Sequence, residues 1–500
     1  MNRRLQLAAL AAAFVTATVA TACGGTTLSR PSGTGTSGAA LVASGALVYG
    51  TIDGNLGSSQ WRQVDTLLKN FPVRTRLLAE LRRGLAEHQL DYQRDLKHAL
   101  GPEIDLAAAG GASTQETAYA IFTKPDSIEN ARALVRKLDE GSPPSATRVV
   151  DGWLVVADSE KMIDRVLKGS GSSLVDDSRF KEAFGRLPGD ALLKLYANGP
   201  ELTKLVGSLY GAMPRRVSDY GGSSQTTAVG SNKLDWVALA AVAEDNGIKL
   251  EGDAKSTTGS NLAGAAYSSK LISGVPADTL AFATFHGRSG YDPLSRLREN
   301  PMFSQGLRQV EQELGISLDK VVALFQHETA FYVRGGPGLP EFSLVLEAPD
   351  TEQALTAIDG LGARVAKLAP ARLGDEKQGG LDVKTLNFGP VTVRWAGFDG
   401  RVLLTTSPTG IADYRSSNDK LGDDSAFKDA LSGAGAPDKT NGLVYVNVAD
   451  AVPLIENYAG LAGGKLPAGL VPNLKPLRSF VAYGSSSGDR SSFAAFLEIK

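Results

Sequence analysis

At 500 residues the chain is too long for one ordinary hydrophobic core, so two or more domains are expected. Hydrophobic residues at 42% and charged residues at 21% describe a folded globular body, and 52 basic against 54 acidic side chains leave a net charge of −2. That balance supplies no clustered basic face for nucleic acid, a single cysteine excludes an intrachain disulfide or a Cys-based metal site, and four histidines leave little room for metal or cofactor chemistry.

The chain opens with Arg3-Arg4 and an uncharged run from Leu5 to Ala20, the basic and apolar regions of a secretory signal. The run is shorter than the roughly 20 residues that span a bilayer, which favours a cleaved signal over a permanent helix. Ala20-Thr21-Ala22-Cys23-Gly24 then puts small residues before the only cysteine. This matches a bacterial lipobox, with Ala20 where Leu is commoner. Residues 1–22 are therefore expected to be removed and Cys23 acylated, which anchors the chain on the extracytoplasmic face of the cell membrane. Residues 23–44, rich in Gly, Ser and Thr, read as a flexible tether.

The remainder repeats itself. Pro125-Asp126 follows a strand pattern and precedes a helix pattern, and Pro349-Asp350 does the same. Asp151-Gly152 and Asp399-Gly400 each separate two apolar runs, a two-residue hairpin signal because such turns need positive φ. Asp176-Asp177-Ser178 returns as Asp423-Asp424-Ser425, and Tyr196-Ala197-Asn198 as Tyr445-Val446-Asn447. We read one module in two tandem copies, 45–257 and 275–500, with a linker over 258–274 and an insertion near 361–390 in the second. Hairpins interrupt any βαβ rhythm, so the fold class is α+β with a mainly antiparallel sheet and helices in each copy.

Within a copy, Leu77, Leu78, Leu81, Leu85 and Leu90 recur at helical spacing, with Arg74, Arg76, Arg82 and Arg83 and interleaved Glu80 and Glu87 on a solvated surface. Ser159-Glu160 and Ser407-Pro408 read as helix starts, and Arg215–Asn232 as a polar loop.

Catalytic motifs are scarce. Ser417-Asn418-Asp419-Lys420 matches Ser-x-x-Lys, but Lys439-Thr440-Asn441 stands too near it for a penicillin-binding arrangement and reads as loop. His327-Glu328 lacks a second histidine four residues on, and His88, His98 and His286 form no ligand spacing with it. The repeated Asp-Asp-Ser reads as a helix cap and the repeated Tyr-x-Asn as a strand end entering a helix. No catalytic, metal or cofactor residue is assigned. Cys23 is the one site residue.

Val275-Pro276-Ala277-Asp278-Thr279-Leu280-Ala281-Phe282 and Tyr445-Val446-Asn447-Val448-Ala449-Asp450 resemble the actinobacterial envelope family known as domain of unknown function 3352. The resemblance covers most of the chain beyond residue 45, although the first copy reads Val42-Ala43-Ser44-Gly45-Ala46-Leu47 at the corresponding place. It implies an exported or membrane-tethered protein with no assigned activity. The resulting expectation is a lipid-anchored envelope protein that binds a ligand, a lipid or an envelope protein, or scaffolds an assembly without catalysis. The rival is an envelope hydrolase in which Ser or Asp meets His286 or His327; sensor or regulator roles complete the alternatives.

Overall fold

The computed structural model describes residues 35–500 apart from 112–115, 212–233, 258–265, 288–293, 295–297, 299–300, 316, 417 and 462. Cys23 with its signal, Ser417 and the whole of the Arg215–Asn232 loop lie outside the described residues. The chain forms two compact units, one from residues within 1–213, 226–260 and 488–500, the other from residues within 214–225 and 261–487.

The first unit contains strands β1 (Val48–Asp53), β2 (Glu103–Ala109), β3 (Ala118–Thr123), β4 (Ala146–Val150), β5 (Trp153–Ala157), β6 (Leu193–Asn198), β7 (Leu234–Glu244) and β8 (Gly247–Ser256). Helices α1 (Ser59–Leu68), α2 (Val73–Glu87), α3 (Ile128–Leu138), α4 (Glu160–Val166), α5 (Ser178–Phe184) and α6 (Gly199–Gly211) alternate with them. The second unit carries β9 (Thr279–His286), β10 (Glu328–Arg334), β11 (Glu341–Glu347), β12 (Arg372–Gln378), β13 (Leu381–Asn387), β14 (Thr392–Phe398), β15 (Arg401–Thr405), β16 (Gly442–Asn447) and β17 (Leu477–Ser487). Its helices are α7 (Pro301–Leu314), α8 (Leu318–Ala323), α9 (Thr351–Leu368), α10 (Gly410–Ser416), α11 (Ser425–Ala434), α12 (Val448–Leu461) and α13 (Leu470–Leu474). The final strand, β18 (Arg490–Ile499), pairs antiparallel with β8 and belongs to the first unit. The class is α+β, and the strands pair antiparallel.

Pairing follows one plan in both units. The first runs β4-β5-β3-β2-β1-β6-β7-β8, and the second runs β14-β15-β11-β10-β9-β16-β17. The inserted stretch near 361–390 becomes the end of α9 and the β12–β13 hairpin, and β13 adds to the sheet beyond β14. It is more than a surface excursion, because Val383 and Leu386 are buried.

Local chemistry explains these elements. Asp151 and Asp399 adopt φ of 51° and 45°, followed by Gly152 and Gly400 at 81° and 72°, so both Asp-Gly steps make the tight turn their strands require. Asp177 caps α5 by accepting from the amides of Arg179 and Phe180, and Asp424 caps α11 by accepting from that of Phe427. Ser159 caps α4. Asp350 caps α9, whereas in the first unit the cap falls one residue later than Asp126, on Ser127, which accepts from the Asn130 amide. Helix α10 begins at Gly410 rather than at Ser407-Pro408. Helix α2 forms where the leucine spacing places it, but no residue of it is fully buried; Leu85 packs partly against Leu96, Ala131 and Leu134.

The core of the first unit is built on Tyr49, Phe180 and Tyr196, with Phe180 edge-on to both tyrosines at 5.5 Å and 5.3 Å between ring centroids. The second unit repeats the arrangement with Phe427 edge-on to Phe282 and Tyr445, at 6.4 Å and 4.9 Å. Asn198 and Asn447 then cap the following helices through the amides of Glu201 and Asp450.

The tether and linker expectations need correction. Residues 38–40 form a 3₁₀ turn with Ala39 fully buried, and Leu41 and Val42 join the core, so any free tether ends before them. Likewise Leu271–Gly274 is a 3₁₀ turn with Leu271 buried, so 258–274 is not wholly linker. Each turn is held by a buried acid at the start of a strand. Glu103 accepts from the Ser37 hydroxyl at 2.5 Å and the Gly38 amide at 3.3 Å. Glu328 accepts from the Ser269 hydroxyl at 2.5 Å and the amides of Lys270 and Leu271 at 2.8 and 3.3 Å.

Two residues on from Glu103, and so on the same face of β2, Asp105 is 1% exposed beside Tyr49 and Thr51. Burial, then repulsion from Glu103, holds its carboxyl well above the ordinary carboxylate range. The folded state thus keeps a proton that the unfolded chain releases, so this group's stabilising share is lost as pH rises from the unfolded value, near 4, through the folded one. Asp105→Asn, a neutral isostere, is expected to flatten that loss. Urea unfolding of both proteins across pH 4.5 to 8.5 checks it: the variant should gain on the wild type as pH rises.

Candidate functional site

The second unit opens a cleft of about 390 Å³ lined by Ser273, Gly274, Gly379, Phe398, Asp399, Arg401, Ala412, Tyr414, Arg415, Ser416 and Lys420. Its floor is aromatic. Phe398 and Arg401 are paired across the Asp399-Gly400 turn, and Phe398 is 8% exposed. Helix α10 turns Ile411 and Tyr414 inward at i, i+3 spacing, and the Tyr414 hydroxyl donates to the Leu271 carbonyl at 2.8 Å. The Tyr414 ring occupies space that a side chain at position 274 would need: a Cβ there would stand 2.2 Å from it. Gly274 is therefore what lets the ring form the floor. Burial pushes the Tyr414 phenol up, so it stays protonated.

Three cations surround this floor. The Arg401 guanidinium lies 6.0 Å from the Tyr414 ring centroid and that of Arg415 lies 5.5 Å from the Phe398 ring centroid. Arg415 also donates to the Gly379 carbonyl at 2.8 Å, so the turn of the inserted β12–β13 hairpin forms a wall. Lys420 donates to the carbonyls of Gly274, Asp413 and Tyr414 at 3.1, 3.3 and 2.9 Å, the last two at the C-terminal end of α10. Desolvation lowers its ammonium below the ordinary lysine value, opposed by nearby Asp413. Its donors are committed, so it offers charge more than a free hydrogen bond. Among the described residues none of these three cations is in an ion pair within 4.0 Å. Asp399 is the one carboxylate in the lining.

The corresponding place in the first unit is closed. The Leu174 amide donates to the Val42 carbonyl as the Leu421 amide donates to that of Val275, both at 2.8 Å, which aligns Leu41 with Gly274. The strand pair Val150–Trp153 stands where Phe398–Arg401 stands. Leu41 and Trp153 are 5% and 3% exposed, so the first unit has core where the second has a cationic opening.

The residues singled out in the sequence fall mostly elsewhere. Of the Ser-x-x-Lys match, Ser417 lies outside the described residues and Lys420 lines the cleft. Thr440 pairs with Tyr267, and the Asn441 amide donates to the Gly484 carbonyl. His88 caps the C-terminal end of α2, and His98 lies 3.8 Å from Asp126 at the surface. His286 and His327 stand 6.5 Å apart, with His286 Nδ1 2.7 Å from the Gly287 carbonyl oxygen. Neither ring hydrogen-bonds Ser or Asp among the described residues. Arg74 and Arg76 pair with Asp65 and Glu80, both at 2.7 Å. Among the described residues no group of three or more His, Cys, Asp or Glu is placed to hold a metal ion, and no helix is long and apolar enough to cross a membrane. Arg401 and Arg415 escaped sequence reasoning because they stand in no linear motif. The one available signal was their place beside an Asp-Gly turn and at a helix end.

A family model described as protein of unknown function, DUF3352, matches residues 134–498. The chain belongs to this family. DUF3352 membership spans both units and the whole cleft. No curated protein matches the chain. Among solved structures, "Structure of crystal form IV of TP0453" aligns with 45% of this chain and 91% of its own at 10% identity and a TM-score of 0.25. "Structure of crystal form III of TP0453" aligns with 46% and 93% at 12% identity and a TM-score of 0.24. Likeness at that level carries no argument about this DUF3352 protein.

Proposed function

We propose that this DUF3352 protein is exported, cut before Cys23, acylated there and held at the extracytoplasmic face of the cell membrane, where its tandem modules serve a non-catalytic binding role. The cleft over Tyr414 is its ligand site. The observation that carries the binding role is three cations outside any ion pair over an aromatic floor. The shared pairing plan supports duplication of one module, with one copy kept closed and the other opened for a ligand. The anchor rests on the position of the only cysteine directly after a signal-like run.

Intact-mass measurement of the chain extracted from its native membrane tests the anchor. The expected species starts at Cys23 and carries at least a diacylglyceryl mass. A chain retaining residues 1–22, or one starting at Cys23 with no acyl mass, contradicts it.

A further inference from the structure

We infer that the cleft of the second unit binds the phosphate group of a phosphate ester. The inference rests on the reading of this cleft as the ligand site and adds the chemical class. Three cations against Asp399 leave the lining with an excess of two positive charges, which matches a phosphate monoester dianion or a diester with a second anionic group. Arg401 and Arg415 each present a planar fork suited to two phosphate oxygens, and each is held over an aromatic ring before any ligand arrives. Preorientation of this kind reduces what binding must spend on ordering side chains.

Lys420 sharpens the case. Three carbonyls satisfy the protons of this half-buried ammonium, two of them at a helix end, so Lys420 contributes charge to the lining without a free donor. A cleft lined by one sign of charge concentrates oppositely charged ligands. A volume of about 390 Å³ exceeds what a phosphate needs and leaves room for the small polar group esterified to it; the Ser273 and Ser416 hydroxyls in the lining donate to the carbonyls of Lys270 and Ala412, both at 2.7 Å, and so face that group as acceptors. The closed counterpart in the first unit, with Leu41 and Trp153 in place of Gly274 and Arg401, shows that this strand pair does not require a cation at the Arg401 position.

Such an ester comes from a phospholipid headgroup or from a soluble metabolite, and titration calorimetry on the detergent-solubilised full chain separates them. The probes are glycerol 3-phosphate, short-chain dihexanoyl phosphatidylglycerol, and glutarate as a dicarboxylate. At least one phosphate probe is expected to bind, with affinity that falls as salt rises. Arg401→Gln and Arg415→Gln should each weaken it about tenfold, the worth of one charge-assisted contact, while Arg132→Gln leaves it unchanged. Thermal midpoints of all variants within a few degrees of wild type show that the fold is intact. Binding of the lipid alone identifies a headgroup site, and binding of both phosphate probes identifies the shared ester. Phosphate binding unchanged in both arginine variants overturns the inference. If glutarate binds as tightly and depends on the same arginines, the phosphate class fails while the cleft remains a ligand site. If no probe binds, the phosphate inference fails, and ligands retained from the native membrane decide the wider reading separately.

Discussion

Deletion of Arg490–Lys500 is expected to unfold the first unit, although the deleted strand lies more than two hundred residues beyond the next stretch of that unit. Strand β18 pairs with β8 from Arg490–Lys255 to Glu498–Gly247, and the Ile499 amide donates to the Asn246 carbonyl at 2.7 Å. Phe496 is fully buried, and Ala494 and Ile499 nearly so. Arg490 and Lys255 share the Glu182 carboxylate, Lys255 at 2.8 Å. Loss of a buried Phe alone costs about 3–5 kcal/mol, a large part of the roughly 5–15 kcal/mol that holds a typical domain together. The deletion also leaves β8 as a long unpaired edge that invites aggregation. Circular dichroism melting with size-exclusion chromatography checks it. A monomer melting within about 5 °C of wild type contradicts the assignment of β18 to this unit.

Glu328→Ala is expected to destabilise the second unit by about 3–5 kcal/mol. The carboxylate is 1% exposed and accepts from Ser269, Lys270 and Leu271, and from the Thr284 hydroxyl at 3.3 Å. Alanine strands these donors in the interior and frees the 269–274 segment, whose Leu271 carbonyl receives the Tyr414 hydroxyl and whose Gly274 makes room for the ring. The substitution should therefore loosen the cleft floor as well as the unit. Urea denaturation followed by tryptophan fluorescence reads the stability, and a loss below about 1 kcal/mol contradicts this role for Glu328.

Glu103, Glu328 and the last strand mark the boundary of what the residues disclose in order. The Asp-Gly hairpins were legible because a two-residue turn demands positive φ, and Asp177 and Asp424 because a helix start needs an acceptor for free amides. Those are local demands. The Pro125-Asp126 step announced a helix without showing its cap, which is Ser127, accepting from the Asn130 amide. Glu103 and Glu328 were silent because one acid at the head of a strand looks like any solvated acid until residues 37–38 and 269–271 fold onto it. The partner of β18 was hidden for the same reason, since sheet pairing is settled by non-local packing.

The cleft was the least legible feature. It gathers Gly274, Gly379, Phe398 with Arg401, and Tyr414 with Arg415 and Lys420 from separate parts of the chain, with no spacing that a motif captures. Its one sequence trace, Ser417 to Lys420, suggested chemistry of another kind, while Lys420 is engaged with backbone carbonyls. The matching Asp-Gly turns were the better guide: aligning them sets Trp153, a core residue, against Arg401, a charge in the cleft lining.

The most direct test of the binding role is native mass spectrometry of the chain extracted from its own membrane, wild type beside the Arg401→Gln/Arg415→Gln double variant. The account predicts a non-covalent anionic adduct on the wild type that the double variant lacks, with the covalent mass at Cys23 the same in both. Identical adducts on the two proteins, or none on either, would contradict it.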